Sequence, residues 1–209
     1  LRRLAEAGVD TSQIARLPGP STRSLVLVDP AGERTVVNLH RCRESGPPRR
    51  LRSLPADAIY VRSRELDLAR ILAERLETSL VVAHVPPVVA GVRPAHVLLA
   101  SASDLSPEEG ESPWDALRRA GGETVRHVVV TRGAAGAEAH ATDGRLRVPA
   151  REAASVDSTG AGDVFAAGLL HALVSGAPME AALRTAVAWG TASVECEGVP
   201  PRERIRALL

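Results

Sequence analysis

The apolar and polar positions change rhythm once along the chain. Before the Arg- and Pro-rich stretch around Pro47-Pro48, the runs Ser24-Leu-Val-Leu-Val28 and Arg34-Thr-Val-Val-Asn-Leu39 alternate imperfectly, the pattern of a sheet with one solvated face. Asp29-Pro-Ala-Gly-Glu33 joins them. Pro30 suits the second position of a turn and Gly32 tolerates positive φ, so a hairpin is predicted. After that stretch come short continuous apolar runs, Asp57–Val61, Ser79–Ala83, His96–Ala100 and Arg126–Thr131, with helical patterns over Leu66–Thr78 and Pro113–Ala120. Apolar strands alternating with helices predict a mostly parallel sheet covered on both faces. A second hairpin, Ala137–Ala141 with Arg145–Val148, precedes helices over Gly162–Ser175 and Met179–Glu195 and a last one near Arg202–Leu209. The expected class is α/β, three layers (α/β/α) around a mostly parallel central sheet, as one domain over residues 1–209 with the first hairpin appended. Leu1-Arg-Arg-Leu-Ala-Glu-Ala7 reads as the middle of an amphipathic helix with Leu1, Leu4 and Ala5 on one face. On that reading the chain is the remainder of something longer, and any targeting peptide would precede it.

Composition narrows the chemistry. The chain has no lysine: all 26 basic residues are arginine. A Schiff base, a Walker-type Gly-Lys-Ser/Thr loop and a kinase strand lysine are therefore excluded within it. Arginine binds phosphate through its planar fork, so phosphate chemistry stays open. A net charge of +1 gives no general reason to expect nucleic acid or membrane as a partner. Tyr60, Trp114, Phe165 and Trp189 are too few for a base-stacking platform. Arg41, Arg43, Arg49, Arg50 and Arg52 read as a solvated loop, and Cys42 and Cys196 as reduced intracellular thiols. No apolar run reaches the ~18 residues of a membrane span.

Three segments could carry chemistry. Asp157-Ser-Thr-Gly-Ala-Gly-Asp163 opens a long helix with glycines that let backbone N–H groups approach an anion, and the helix dipole adds to the attraction. Asp163 stands where it could take a proton from a hydroxyl nucleophile; the alternative is a dipole-stabilising aspartate among packing glycines. Thr131-Arg-Gly133-Ala-Ala-Gly136 ends an apolar strand, either as a ligand loop at a strand's carboxyl end or as an ordinary hairpin turn. Ser101-Ala-Ser-Asp104 offers oxygen ligands to a hydrated Mg²⁺, or a helix cap. His84, His96, His127, His140 and His171 have no metal spacing and read as structural or surface residues. Trp189, among alanines, reads as core packing.

The helix-opening segment, with Phe165, resembles the carboxyl-terminal signature of ribokinase-like (PfkB) carbohydrate kinases, Asp-Thr-x-Gly-Ala-Gly-Asp, and the other two segments precede it in the family's order. The lead-in "PSTRSLVLVDPAGERTVV" resembles that family's β-lid. The resemblance implies an ATP-dependent phosphotransferase acting on a sugar or sugar-like hydroxyl. Asp163 would be the general base, the Gly160, Ala161 and Gly162 amides the anion hole, and Thr131, Gly133 and Gly136 the nucleotide loop. Ser101 and Asp104 would face Mg²⁺ through water, and Asp157 a monovalent cation such as K⁺, which not every member uses. It also implies residues 21–42 as a moving lid that can mediate a homodimer, and a cytoplasmic location. There are departures. Ser101–Asp104 replaces an Asn-x-x-Glu element and shortens the carboxylate arm. Ala186-Val-Ala-Trp189 stands where an adenine-contacting Asn or His is frequent. The family's amino-terminal strands, with the sugar-binding Asp and Gly-Gly motif, are not in this sequence. Two alternatives stay open: a non-catalytic fragment or pseudokinase that binds nucleotide or a partner, and a nucleoside kinase of the same fold.

Overall fold

The computed structural model describes residues 1–28, 34–42, 46, 48–63, 68–85, 93–105 and 111–209. The chain divides into two compact units, Leu1–Gly46 and Pro47–Leu209.

In the first unit, α1 (Arg2–Glu6) precedes an antiparallel ribbon of β1 (Arg23–Val28) and β2 (Arg34–His40). Leu25 lies opposite Val37 and Val26 opposite Val36, and Ser24 Oγ donates to Asn38 Oδ1 across the strands at 3.0 Å. The expected turn at residues 29–33 lies outside the described residues. One solvated face was expected, yet Leu25, Val26, Leu27, Val36, Val37 and Leu39 are all exposed. Neighbouring residues of a strand point to opposite faces, so apolar side chains are uncovered on both. The amphipathic opening is also different: α1 is five residues long and none of them is buried. So short a helix has little stability without a packed face.

The second unit is built on a six-stranded sheet in the order β3-β4-β5-β6-β7-β8. β3 (Ala58–Val61), β4 (Leu80–His84), β5 (Val97–Ser101) and β6 (His127–Thr131) are parallel to one another. β7 (Ala137–Ala141) and β8 (Gly144–Val148) continue antiparallel. Alternation along the strands separates two cores. Val82, Val97, Leu99, Val129, Ala137 and Ala139 pack with Phe165 and Leu169 of α4 (Ala161–Val174) and Leu183 of α5 (Met179–Val194). Val61, Val81, Ala83, Leu98, Val128 and Val130 pack with Leu72 of α2 (Ala69–Arg75) and Leu117 of α3 (Pro113–Gly121). These are the three α/β/α layers expected from the sequence, with the strands buried on both faces as parallel sheets require.

Local chemistry sets the helix ends. Ser112 Oγ accepts from Asp115 N–H at 3.1 Å and Pro113 fills the first position of α3; Gly122, at φ +77°, stops it. Helices α4 and α5 approach closely because a Cβ at Gly168 would meet the Trp189 ring and Ala186 Cα at 3.1 Å. The last helix, α6, spans Arg202–Arg206.

Candidate active site

Because β3 to β6 run parallel, they end on one edge of the sheet. Arg62 follows β3, His84 ends β4, Ser101 ends β5 and Thr131 ends β6. Open α/β sheets bind ligands at this edge. The amino terminus of α4 is at the same edge: the Arg62 guanidinium forms an ion pair with Asp163 Oδ1, both side chains being about half exposed (54% and 56%). Arg62 and the preceding pair Val61–Ala83 put His84 on the neighbouring strand. Burial holds the His84 imidazole below its ordinary value, Arg62 lowers it further, and Asp104 opposes the shift. Asp163, Arg62, His84 and Asp104 thus form one electrostatic neighbourhood.

The signature segment is held from outside α4. Val156 and Asp157 N–H both donate to Val194 O at the end of α5, at 2.7 and 3.1 Å. Asp157 Oδ1 accepts from Thr159 N–H at 2.8 Å, a tight side-chain turn, and Oδ2 from Gly198 N–H at 3.5 Å. Gly160 is the N-cap of α4 at φ +79°, a left-handed conformation that disfavours any residue with a Cβ. Ala161 N–H donates to Ser158 O at 3.3 Å. Gly162 N–H, also in the first turn, donates to no backbone carbonyl among the described residues. A helix start of this kind draws anions.

The segment Thr131–Gly136 is the tight connection between antiparallel β6 and β7, so it is a hairpin turn and a loop at the strands' carboxyl edge at once. Arg132 N–H donates to Gly136 O at 2.8 Å and a 3-10 turn spans Gly133–Ala135. Beneath it lies a buried carboxylate, Glu138, whose Oε2 takes Arg132 Nη2 at 2.9 Å and has His140 Nε2 at 3.4 Å. Burial opposes ionisation of Glu138, but the charge of the paired Arg132, with Arg145 and His140, outweighs it and holds the carboxyl below its usual range.

Ser101 and Asp104 flank the short turn Ala102–Asp104. The Ser101 side chain makes no cap hydrogen bond to this turn and instead shares a 2.8 Å hydrogen bond with Ser103 Oγ, while residues 106–110, before which the cap was expected, lie outside the described residues. Among the described residues no group of three or more His, Cys, Asp or Glu could hold a metal. Ser101 and Asp104 offer oxygen donors, the kind Mg²⁺ takes alongside water and phosphate oxygens. Trp189 is half-buried rather than in the core, stacked on His171 with ring centroids 5.4 Å apart. Arg62 was missed in the sequence reading and His84 was set aside as structural; the signal for both was their place at the end of an apolar strand run.

The sequence pattern of the pfkB family carbohydrate kinases matches residues 81–203. An ATP-dependent ribose-1-phosphate kinase of Halopiger xanaduensis is 30% identical over 222 aligned residues, covering 100% of this chain and 74% of that protein. Among solved structures, ribokinase from Thermotoga maritima aligns with a TM-score of 0.71 at 18% identity, over 99% of this chain and 75% of that one. The Burkholderia thailandensis nucleoside kinase, solved with inosine, aligns with a TM-score of 0.78 at 18% identity, over 99% and 72%. The chain belongs to the pfkB family of carbohydrate kinases and has the ribokinase fold. Among the described residues, no helix is long and apolar enough to cross a membrane.

Proposed function

We propose that this chain transfers the γ-phosphoryl group of ATP to a hydroxyl of a sugar or nucleoside, with Asp163 as the general base. The observation that carries the reading is Asp163 in the first turn of α4, directly after a left-handed glycine N-cap, at the carboxyl edge of the parallel strands. The carboxylate takes the hydroxyl proton as the oxygen attacks the γ-phosphorus and the bond to the ADP oxygen breaks. The amides of Gly160, Ala161 and Gly162 face the charge that develops on the transferring group, where fixed donors are most effective. Thr131, Gly133 and Gly136 line the nucleotide's phosphates and ribose. Ser101 and Asp104 would hold Mg²⁺ through water, and that ion would neutralise phosphate charge; Asp157 would serve a monovalent cation such as K⁺. The uncovered apolar side chains of the ribbon of β1 and β2 support a contact between two copies of the chain. ATP as donor accords with a cytoplasmic setting.

The test is ATP consumption with Mg²⁺ against a panel of sugars and nucleosides, with Asp163→Asn run beside the unmodified chain. Loss of a general base costs roughly 10²–10⁴-fold, so kcat should fall by at least about a hundredfold in the variant while ATP still binds. ATP binding without turnover on any acceptor would instead favour the binding-only reading.

A further inference from the structure

We infer that Arg62 binds a phosphate oxyanion brought beside Asp163, and that this anion replaces Asp163 as the partner of its guanidinium in the working complex. The inference rests on the kinase reading above. A base must be open to the hydroxyl it deprotonates, and a carboxylate oxygen held by a guanidinium is already occupied. The Arg62–Asp163 pair therefore suits the free protein and not the proton-transfer step. The pair is also easily exchanged, because both side chains are about half exposed and exposed ion pairs are weakly held.

The surroundings point to phosphate as the replacement. The chain has no lysine, and burial and Arg62 disfavour the charged form of His84, so arginine is the permanent side-chain cation for phosphate here, and its fork matches phosphate oxygens bidentately. Two other arginines among the described residues are committed elsewhere. Arg132 is tied to the buried Glu138 at 2.9 Å, and Arg93, itself buried, donates to Ser63 O at 2.8 Å. Arg62 stands beside the proposed base in the first turn of α4, where the helix start also draws anions. Two sources share this chemistry: the terminal phosphate of ATP, and a phosphate already carried by the acceptor.

Calorimetric titration of the unmodified chain, Arg62→Ala and Arg62→Lys separates them. Mg²⁺-ATP, ribose 1-phosphate and ribose are titrated in turn. The Ala variant is expected to lose roughly tenfold or more in affinity for the phosphate that Arg62 reads, with Lys restoring part of it and ribose binding unmoved. A loss confined to ribose 1-phosphate assigns Arg62 to the acceptor, and a loss on ATP assigns it to the donor. Because the pair is exposed, both variants should keep the melting temperature of the unmodified chain. If ATP or ribose 1-phosphate binds the unmodified chain and Arg62→Ala binds it equally well, the inference is overturned and the kinase reading stands. If neither phosphate binds the unmodified chain, both fall together.

Discussion

Gly133 and Gly136 belong to one motif but differ in what holds them. Gly136 has φ +91°, and a Cβ there would overlap the carbonyl oxygen of Val148 on β8. Gly133 has φ +54° with nothing within 4 Å of the same construction. A side chain in the left-handed region costs roughly 1–2 kcal/mol. Gly133→Ala is therefore expected to lose about 1 kcal/mol, and Gly136→Ala about 2 kcal/mol or more, since strain and overlap act together. Urea unfolding of the two variants checks the order, and equal losses would contradict it. The motif was legible as a Gly-spaced turn, whereas the backbone behind Gly136 was not, because β8 reaches it only by folding back. Arg62 and Asp163 present the same difficulty on a larger scale: they lie 101 residues apart in sequence. A strand-end arginine becomes a candidate only when the parallel register and α4 bring the two together.

Among the elements, the apolar runs marked the four parallel strands of the sheet, each starting one residue before the hydrogen-bonded ladder, and the second hairpin marked β7 and β8. The ribbon of β1 and β2 departs more. Two strands alone are marginal in water, and this pair leaves Val36 56% and Leu39 67% exposed. An uncovered apolar ribbon favours a partner surface, here proposed to be a second copy of the chain. Light scattering should then give the mass of two chains for the unmodified protein and of one for a Val36→Glu, Leu39→Glu variant. The main thermal transition should be unmoved, because Leu98, Val129, Leu169 and Leu183 form the core within residues 47–209. A single-chain mass for the unmodified protein would defeat the proposal. Alternation alone misread this element because period two separates two faces without saying what covers either.

Across the whole molecule, histidine burial gives stability a direction with pH. His84, His96, His127 and His140 are each held below the ordinary value of 6.5, in every case chiefly by burial. The unfolded chain takes up these protons as pH falls through that value while the folded chain resists. Their contribution is thus fully present above it and lost toward lower pH. Glu138, held below 4.5, adds a contribution that is lost only under more acidic conditions. The urea midpoint should therefore fall between about pH 7.5 and about pH 5.5, and a flat profile would contradict the assignment. The sequence by itself determined the α/β class, the parallel run of strands, the order of the three chemical segments and the exclusion of lysine chemistry. These rest on local periodicity, on glycine's backbone freedom and on which side chains exist at all. Tertiary structure alone decided that Arg62 meets Asp163, that His84 joins them and that Glu138 lies buried under the loop holding Arg132. Each of these depends on strand register and on how α4 and α5 pack against the sheet, relations between distant segments that no short window of sequence contains.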